Sequence, residues 1–407
     1  MIMKKRIFCS ILLLSALSLV LSCRSTKKIG RTREGDITLA FAGDVMAHSN
    51  NFRPGNFDRI WHDVSPLLHS VDLAFANIEA PVADGIEWSS YPKFNMHSEY
   101  VEAAIKAGFS VFSLANNHTN DQSIEGIRQT RNYFANRPGI WACGLKENQN
   151  DGITYKLIEK KAADGSDWKI LFVAITELLN NNAANSEWID YYPSTVSSRK
   201  KIKAELKKLA NDNPHDIFIA SIHTDDPEYV LEITEDHKNF FTELVKDCNV
   251  DIVWANHPHV TKPWEKIPTN MLSKNDGFIM YANGNTISGQ RTNPSFSAPD
   301  TPRDYTGDGV IIKLRLHREQ HEIQRVISQA GESEQSDFEE SETVIVERTL
   351  VASCEPHFIT AYISPSNQYL VKSLDNSFIQ ALDRSEISDW PKYLIERKKI
   401  MERLLNK

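Results

Sequence analysis

GFSVFSLANNHTND, residues 108–121, runs apolar from Phe109 to Ala115 and then breaks into amides, an imidazole and a carboxylate. A short, almost continuously apolar run suits a strand covered on both faces. Its polar ending has no packing value in a core, so it reads as one wall of a site. The same rhythm recurs at 37–42, 72–76, 169–175, 216–222, 250–255, 278–282 and 310–316, all rich in β-branched and aromatic residues. Helical patterns lie between several of these runs, at about 98–106 (stopping at Gly108), 123–134, 198–209 and 234–246. The alternation predicts an α/β fold with layered sheet and helices.

The residues just past each strand carry the chemistry. Gly43-Asp44-Val45-Met46 comes after the first run, Asn77-Ile78-Glu79 after the second and Asn116-Asn117-His118 after the third. Later strands deliver His223-Thr224-Asp225-Asp226, Asn256-His257-Pro258-His259 and Asn283-Gly284-Asn285. Loops at the carboxyl ends of strands in α/β sheets gather in one crevice, where side chains distant in sequence converge. Asp44, Glu79, Asn117, His223, His257 and His259 then form a mixed oxygen and imidazole set. Such donors suit Mn, Fe or Zn, and the lack of thiolates argues against a structural zinc site. Six donors exceed what one tetrahedral ion needs, whereas two ions sharing a carboxylate would use them.

Taken singly, these residues have plain alternatives. Asp44 after a glycine suits a turn or a helix cap, and Asn77 and Glu79 suit an ordinary loop. His257-Pro258-His259 is the hardest to explain by packing, because two imidazoles flank a proline straight after a buried strand. The other histidines, His62, His69, His97 and His215 among them, read as surface or packing residues. Tyr229 and Trp264 suit either the cleft or the core.

The chain of 407 residues opens Met-Ile-Met-Lys-Lys-Arg, turns apolar from Ile7 to Leu21 and stops at Ser22-Cys23. That apolar stretch is shorter than the roughly 20 residues a bilayer requires, so residues 1–22 read as a signal peptide. Leu-Ser-Cys resembles a bacterial lipobox, which implies export and lipid anchoring at Cys23; ordinary cleavage with Cys23 unmodified is the alternative. Residues 23–35, with five basic side chains between Arg24 and Glu34, form the expected tether. Loss of Lys4, Lys5 and Arg6 with the peptide takes the formal charge from −8 to −11. An acidic body of this kind argues against nucleic acid as partner. Cys143, Cys248 and Cys354 are an odd number without C-x-x-C spacing, so no disulfide framework is expected. The main domain is expected over 36–330, followed by an acidic linker, GESEQSDFEESE at 331–342, and a C-terminal extension, 343–407, ending in a helix from Pro391 to Leu405.

Several of these stretches, in order, resemble the bacterial CapA-like poly-gamma-glutamate capsule-synthesis family, similar to the calcineurin-like metallophosphoesterases. The matching pieces are GDVM (43–46), DLAFANIEAP (72–81), AGFSVFSLANNHTND (107–121) with EGIRQT (125–130), His223 to Tyr229, HPHV (257–260) and MYANGN (280–285), together spanning about 36–290. The resemblance implies a layered metallophosphoesterase-like β-sandwich flanked by helices, with one or two divalent ions. Glu79 would bridge the ions, Asp44 and His259 would hold one, and Asn117, His223 and His257 the other. His118 would serve as general acid or as donor to a phosphoryl oxygen, with Asp121 orienting it or capping the next helix. The implied role is the synthesis, export or anchoring of an anionic surface polymer, by phosphoester hydrolysis, by hydrolysis of an amide, or as a non-catalytic assembly scaffold. The chain departs from the pattern at Met46, where Asp-x-His is usual, and His48 is the candidate replacement. It also has Thr224-Asp225 where Trp-Gly often precedes Glu-Tyr, Ala255-Asn256 where Gly-His is common, and Asn283 and Thr286 where Leu and Phe flank Gly-Asn.

Overall fold

The computed structural model describes residues 34–135, 137–269, 274–328, 339–385 and 389–405. The expected signal peptide and nearly all of the tether lie outside the described residues. Fourteen strands form in chain order among the described residues: β1 Gly35–Val45, β2 Leu73–Ile78, β3 Val111–Ser113, β4 Trp141–Cys143, β5 Tyr155–Lys161, β6 Asp167–Thr176, β7 Ile217–His223, β8 Ile252–Asn256, β9 Trp264–Ile267, β10 Gly277–Met280, β11 Asn285–Ile287, β12 Asp308–Ser328, β13 Glu339–Ile363 and β14 Tyr369–Ser373. They make two sheets. One has the order β14-β13-β12-β1-β2-β3-β4 with β11 beside β1, and the other β5-β6-β7-β8-β10-β9. In each sheet the central strands run parallel, β1 to β4 in the first and β6, β7, β8 and β10 in the second.

Period-two alternation decides which layer each side chain joins. Ile37, Leu39 and Phe41 of β1 enter the core between the sheets, with Phe75 of β2, Phe172 of β6 and Trp254 of β8. Phe41 stacks on Phe75 at 4.5 Å between ring centres, and Trp254 meets both rings across the gap. Ala40 and Ala42, on the other face of β1, pack toward Tyr100, Val101 and Ala104 of the helix Ser98–Ala107. The outer face of the second sheet is covered by the helices Val196–Asp212 and Glu235–Asp247. The chain is thus the expected α/β sandwich: two sheets face to face, flanked by helices.

The boundary expected near residue 330 falls within a hairpin. β12 pairs with β13 from Asp308↔Thr360 out to Ser328↔Glu339, so residues 339–342 of the expected linker are strand, and 331–338 lie outside the described residues. The segment 343–407 is no appendage to the sheet. β13 and β14 extend it, and the helix Trp390–Leu405 is anchored where β12 begins, Arg397 Nε donating to Asp308 Oδ2 at 2.6 Å with both side chains fully buried. Arg291 pairs with the other oxygen of Asp308 at 2.8 Å. Strand pairing to a partner distant in sequence overrides the mixed polar pattern of residues 343–351. Cys143, Cys248 and Cys354 are free. Among the described residues no helix is long and apolar enough to cross a membrane.

Candidate metal centre

The carboxyl ends of β1, β2, β7 and β8 converge, because parallel pairing sets their polar endings in register. Asp44 lies beside Asn77 of β2 and Asn285 of β11, while His223 lies beside Asn256 of β8. Close approach explains the glycine before Asp44: a Cβ at Gly43 would sit 1.8 Å from Gly284 O. Asp44 N donates to that same carbonyl at 3.0 Å, and Asn77 Nδ2 donates to Asp44 Oδ1 at 2.8 Å. Trp254 Nε1 donates to Ala42 O at 2.9 Å, tying the second sheet to the first just beneath this point.

Glu79 lies just past β2 and is fully buried, yet neither carboxylate oxygen has a hydrogen-bond partner. His223 Nε2 is 3.8 Å from Glu79 Oε1 and 2.9 Å from Asn117 Oδ1. Past β8 the backbone turns sharply, with His257 at φ 105° and His259 at φ 57°. Non-glycine residues in that region carry roughly 1–3 kcal/mol of strain each, which persists only where surrounding structure imposes it. Here Tyr229 N donates to Pro258 O at 2.9 Å, and His257 N donates to Asp44 Oδ2 at 3.4 Å. His259 Nδ1 lies 3.0 Å from Asn285 Oδ1. Asn285 Nδ2 donates to Gln290 Oε1 and Thr306 O, both at 2.8 Å, so Oδ1 is the acceptor and Nδ1 carries the proton. The other ring nitrogen, His259 Nε2, faces Glu79 Oε1 at 3.7 Å.

Two donor groups result. Glu79, His223 and His257 each offer an atom within 4.8 Å of the others, and so do Asp44, Glu79 and His259. Glu79 belongs to both. The electrostatics show what the cluster lacks. Burial, and then the neighbouring Asp44, push the Glu79 carboxyl well above its usual range. Burial, and then adjacent imidazoles, push His223 well down and His257 down to about 3. Among the described residues the ion-pair contacts of Asp44 and Glu79 are with histidines alone. Neutral imidazoles and poorly compensated buried carboxylates leave positive charge wanting, and a divalent cation would supply it. Carboxylate, amide oxygen and imidazole donors without thiolate fit Mn, Fe or Zn.

His118 and Asp121 stand beside this cluster. His118 Nδ1 is 2.7 Å from Asp121 Oδ2, which also accepts from Phe94 N at 2.7 Å. The Asp121 carboxylate is therefore engaged by His118 and Phe94, and the helix Ser123–Phe134 starts without a side-chain cap. His48 joins neither donor group that contains Glu79. Its Nδ1 accepts from Gly289 N at 3.1 Å and its ring meets Phe94 edge-on at 4.9 Å. Met46 is buried in the outer core, and half-buried Trp264 packs on the core clusters. Tyr229, by contrast, lies 6.1 Å from the His259 ring.

Other contributors escape a reading along the chain. Asn77 and Asn285 orient Asp44 and His259, and Glu228 forms a further group with His257 and His259. A second His-carboxylate cluster lies past the ends of β6 and β7. His237 Nε2 is 2.6 Å from Glu177 Oε2 and 3.3 Å from Asp225 Oδ1, and its Nδ1 is 2.9 Å from Asp226 Oδ1. Lys262 pairs with Asp226 at 2.7 Å and Arg199 with Glu177 at 3.2 Å.

Residues 38–290 match the family described as "Bacterial capsule synthesis protein PGA_cap". The chain is 26% identical over 269 residues to the capsule biosynthesis protein CapA of Bacillus anthracis, covering 62% of this chain and 60% of that protein. It is 24% identical over 272 residues to the PGA biosynthesis protein CapA of Bacillus subtilis (strain 168), covering 65% and 67%. Among solved structures it overlaps the calcineurin-like phosphoesterase YfkN from Bacillus subtilis with a TM-score of 0.37 and 11% identity, covering 77% of this chain and 91% of that one. The family match spans more than half of the chain, and the protein therefore belongs to the bacterial capsule synthesis protein PGA_cap family.

Proposed function

We propose that the protein is an exported, lipid-anchored hydrolase whose one or two divalent ions act on a phosphoester in making, exporting or anchoring a surface polymer such as poly-gamma-glutamate. The carrying observation is Glu79, a buried carboxylate with both oxygens unpartnered, shared by two donor groups. In this reading Glu79 would be shared by both ions, Asp44 and His259 would hold one, and Asn117, His223 and His257 would hold the other. Bound divalent ions supply Lewis acidity, lowering the pKa of water and neutralising charge on a phosphoryl group. His118 handles a proton at the leaving oxygen through Nε2, because Asp121 occupies Nδ1 and fixes the ring. The signal-peptide pattern and Cys23 support export with attachment to the cell membrane or outer membrane, and the names of the Bacillus relatives support the capsule pathway. Partners would be the anionic polymer or its precursor and the proteins that make or export it.

One observation favours a second reading, a non-catalytic polymer-binding or assembly scaffold. Met46 is buried in the hydrophobic core and offers no donor two residues after Asp44, leaving that side of the centre poorer in ligands. The test is metal analysis of the purified full chain, then assay on an aryl phosphodiester and on a glutamyl amide with Mn, Fe or Zn. Stoichiometric metal, with phosphodiester turnover that His118→Ala lowers by about 100- to 10,000-fold, is the expected result. Tight polymer binding without turnover under any metal replaces it with the scaffold, and turnover of the amide alone moves the chemistry from phosphorus to carbon. Absence of bound metal, with thermal stability unchanged on adding Mn or Zn, removes both metal-dependent readings.

A further inference from the structure

We propose that Glu228 is an additional ligand, closing the metal centre from the solvent side against His257 and His259. Its carboxylate and one nitrogen of each histidine lie within 4.8 Å of one another. Those two histidines belong to different donor groups around Glu79, His257 to the one with His223 and His259 to the one with Asp44. Glu79 thus serves both groups from the buried side, and Glu228, which is exposed, reaches both from the open side. His257 itself keeps an unpartnered buried donor atom: its Nδ1 makes no hydrogen bond although His257 is 4% exposed.

Glu228 is not a loose surface side chain. Tyr229, the next residue, sits at φ 66°, and its N–H holds Pro258 O, the centre of the His-Pro-His turn. On the other flank Asp226 is clamped by His237 and by Lys262 Nζ at 2.7 Å. The backbone just after Glu228 is therefore fixed relative to the His-Pro-His turn, and the Asp226 side chain two residues before it is held in place, a preorganisation that ligation requires. A further carboxylate also changes the chemistry. It would add a hard oxygen donor beside His257 and His259, tilting preference toward Mn or Fe over Zn. With two divalent ions bound, the three carboxylates would leave one net positive charge, suited to a single incoming anionic oxygen.

The inference rests on the metal centre proposed above, and titration of the metal-stripped full chain with Mn by calorimetry separates the two. The wild type takes up Mn, and Glu228→Gln weakens that uptake by about 10- to 100-fold with the melting temperature of the metal-free protein unchanged. Glu228→Asp distinguishes ligation from long-range charge: a ligand role predicts weakened uptake, whereas a charge effect predicts the wild-type value. Wild-type affinity in both variants overturns the role of Glu228 and leaves the centre standing. No Mn uptake by the wild type itself overturns the centre and the inference together.

Discussion

Two histidine-carboxylate clusters lie at the same end of the sandwich, and they resolve buried negative charge in opposite ways. Around His237, the carboxylates Glu177, Asp225 and Asp226 meet Arg199, Lys262 and the imidazole itself. Burial alone would lower the His237 pKa, but the hydrogen bonds it donates to Asp225, Asp226 and Glu177 outweigh it and raise the value to about 11. That cluster is balanced by cations of the chain, and its 2.6 Å contact between Nε2 and Glu177 is a charge-assisted hydrogen bond. Around Glu79 no lysine or arginine is paired with either carboxylate among the described residues, and burial holds the pKa of His223 and His257 down. Residue types are nearly the same in both places. What separates a structural clamp from a candidate metal site is whether the protein provides its own cation.

The sharpest way to break this contrast is the same isosteric change in both clusters. Glu79→Gln is expected to abolish stoichiometric uptake of Mn, read by metal analysis after dialysis. It leaves the metal-free protein as stable as before or more so, because a neutral amide replaces an unpaired buried carboxylate. Metal uptake that survives this change removes the bridging role. His118→Ala should lower turnover by a factor of about 100 to 10,000 while metal content stays at the wild-type level; a parallel loss of metal would make His118 a ligand instead.

At the balanced cluster, Glu177→Gln should cost about 3–5 kcal/mol in denaturant unfolding, because it leaves buried cationic partners unmatched, with Mn affinity unaltered. The pH dependence comes from the raised His237 pKa. Stability from its ion pairs is complete below the ordinary value of 6.5 and is lost as pH rises toward about 11. The wild type should therefore lose melting temperature between about pH 7 and about pH 10 more steeply than His237→Gln, and equal slopes would remove the charged clamp. The smallest effect is Thr234→Ala. Thr234 caps the helix Glu235–Asp247, its hydroxyl accepting from His237 N, and removal of such a cap costs about 1 kcal/mol.

Much of this architecture is legible along the chain. Each of the eight apolar runs gives rise to a strand, and the four helical patterns between them appear within about three residues of their expected ends. The strands that escape are of two kinds. β4, β9 and β11 are three or four residues long, too short for periodicity to register. β5, YKLIEKK, β13, Glu339–Ile363, and β14, YLVKS, mix charged and polar residues with apolar ones, so no continuous apolar run marks them. His237 and Glu228 illustrate the limit at the site. The partners of His237 come from the loops after β6 and β7, up to 60 residues away, and no local pattern joins them.

The sequence by itself determined the strand-helix alternation, the polar strand endings and the identity of the donors, because hydrophobic periodicity and residue chemistry are local properties. Tertiary structure decided which donors meet: parallel register aligned Asp44 with Asn77 and Asn285, and the facing sheet brought His223, His257 and His259 to Glu79. It also decided which carboxylates received a lysine or arginine. Charge compensation acts through space over a few ångströms, and only the folded packing sets those distances.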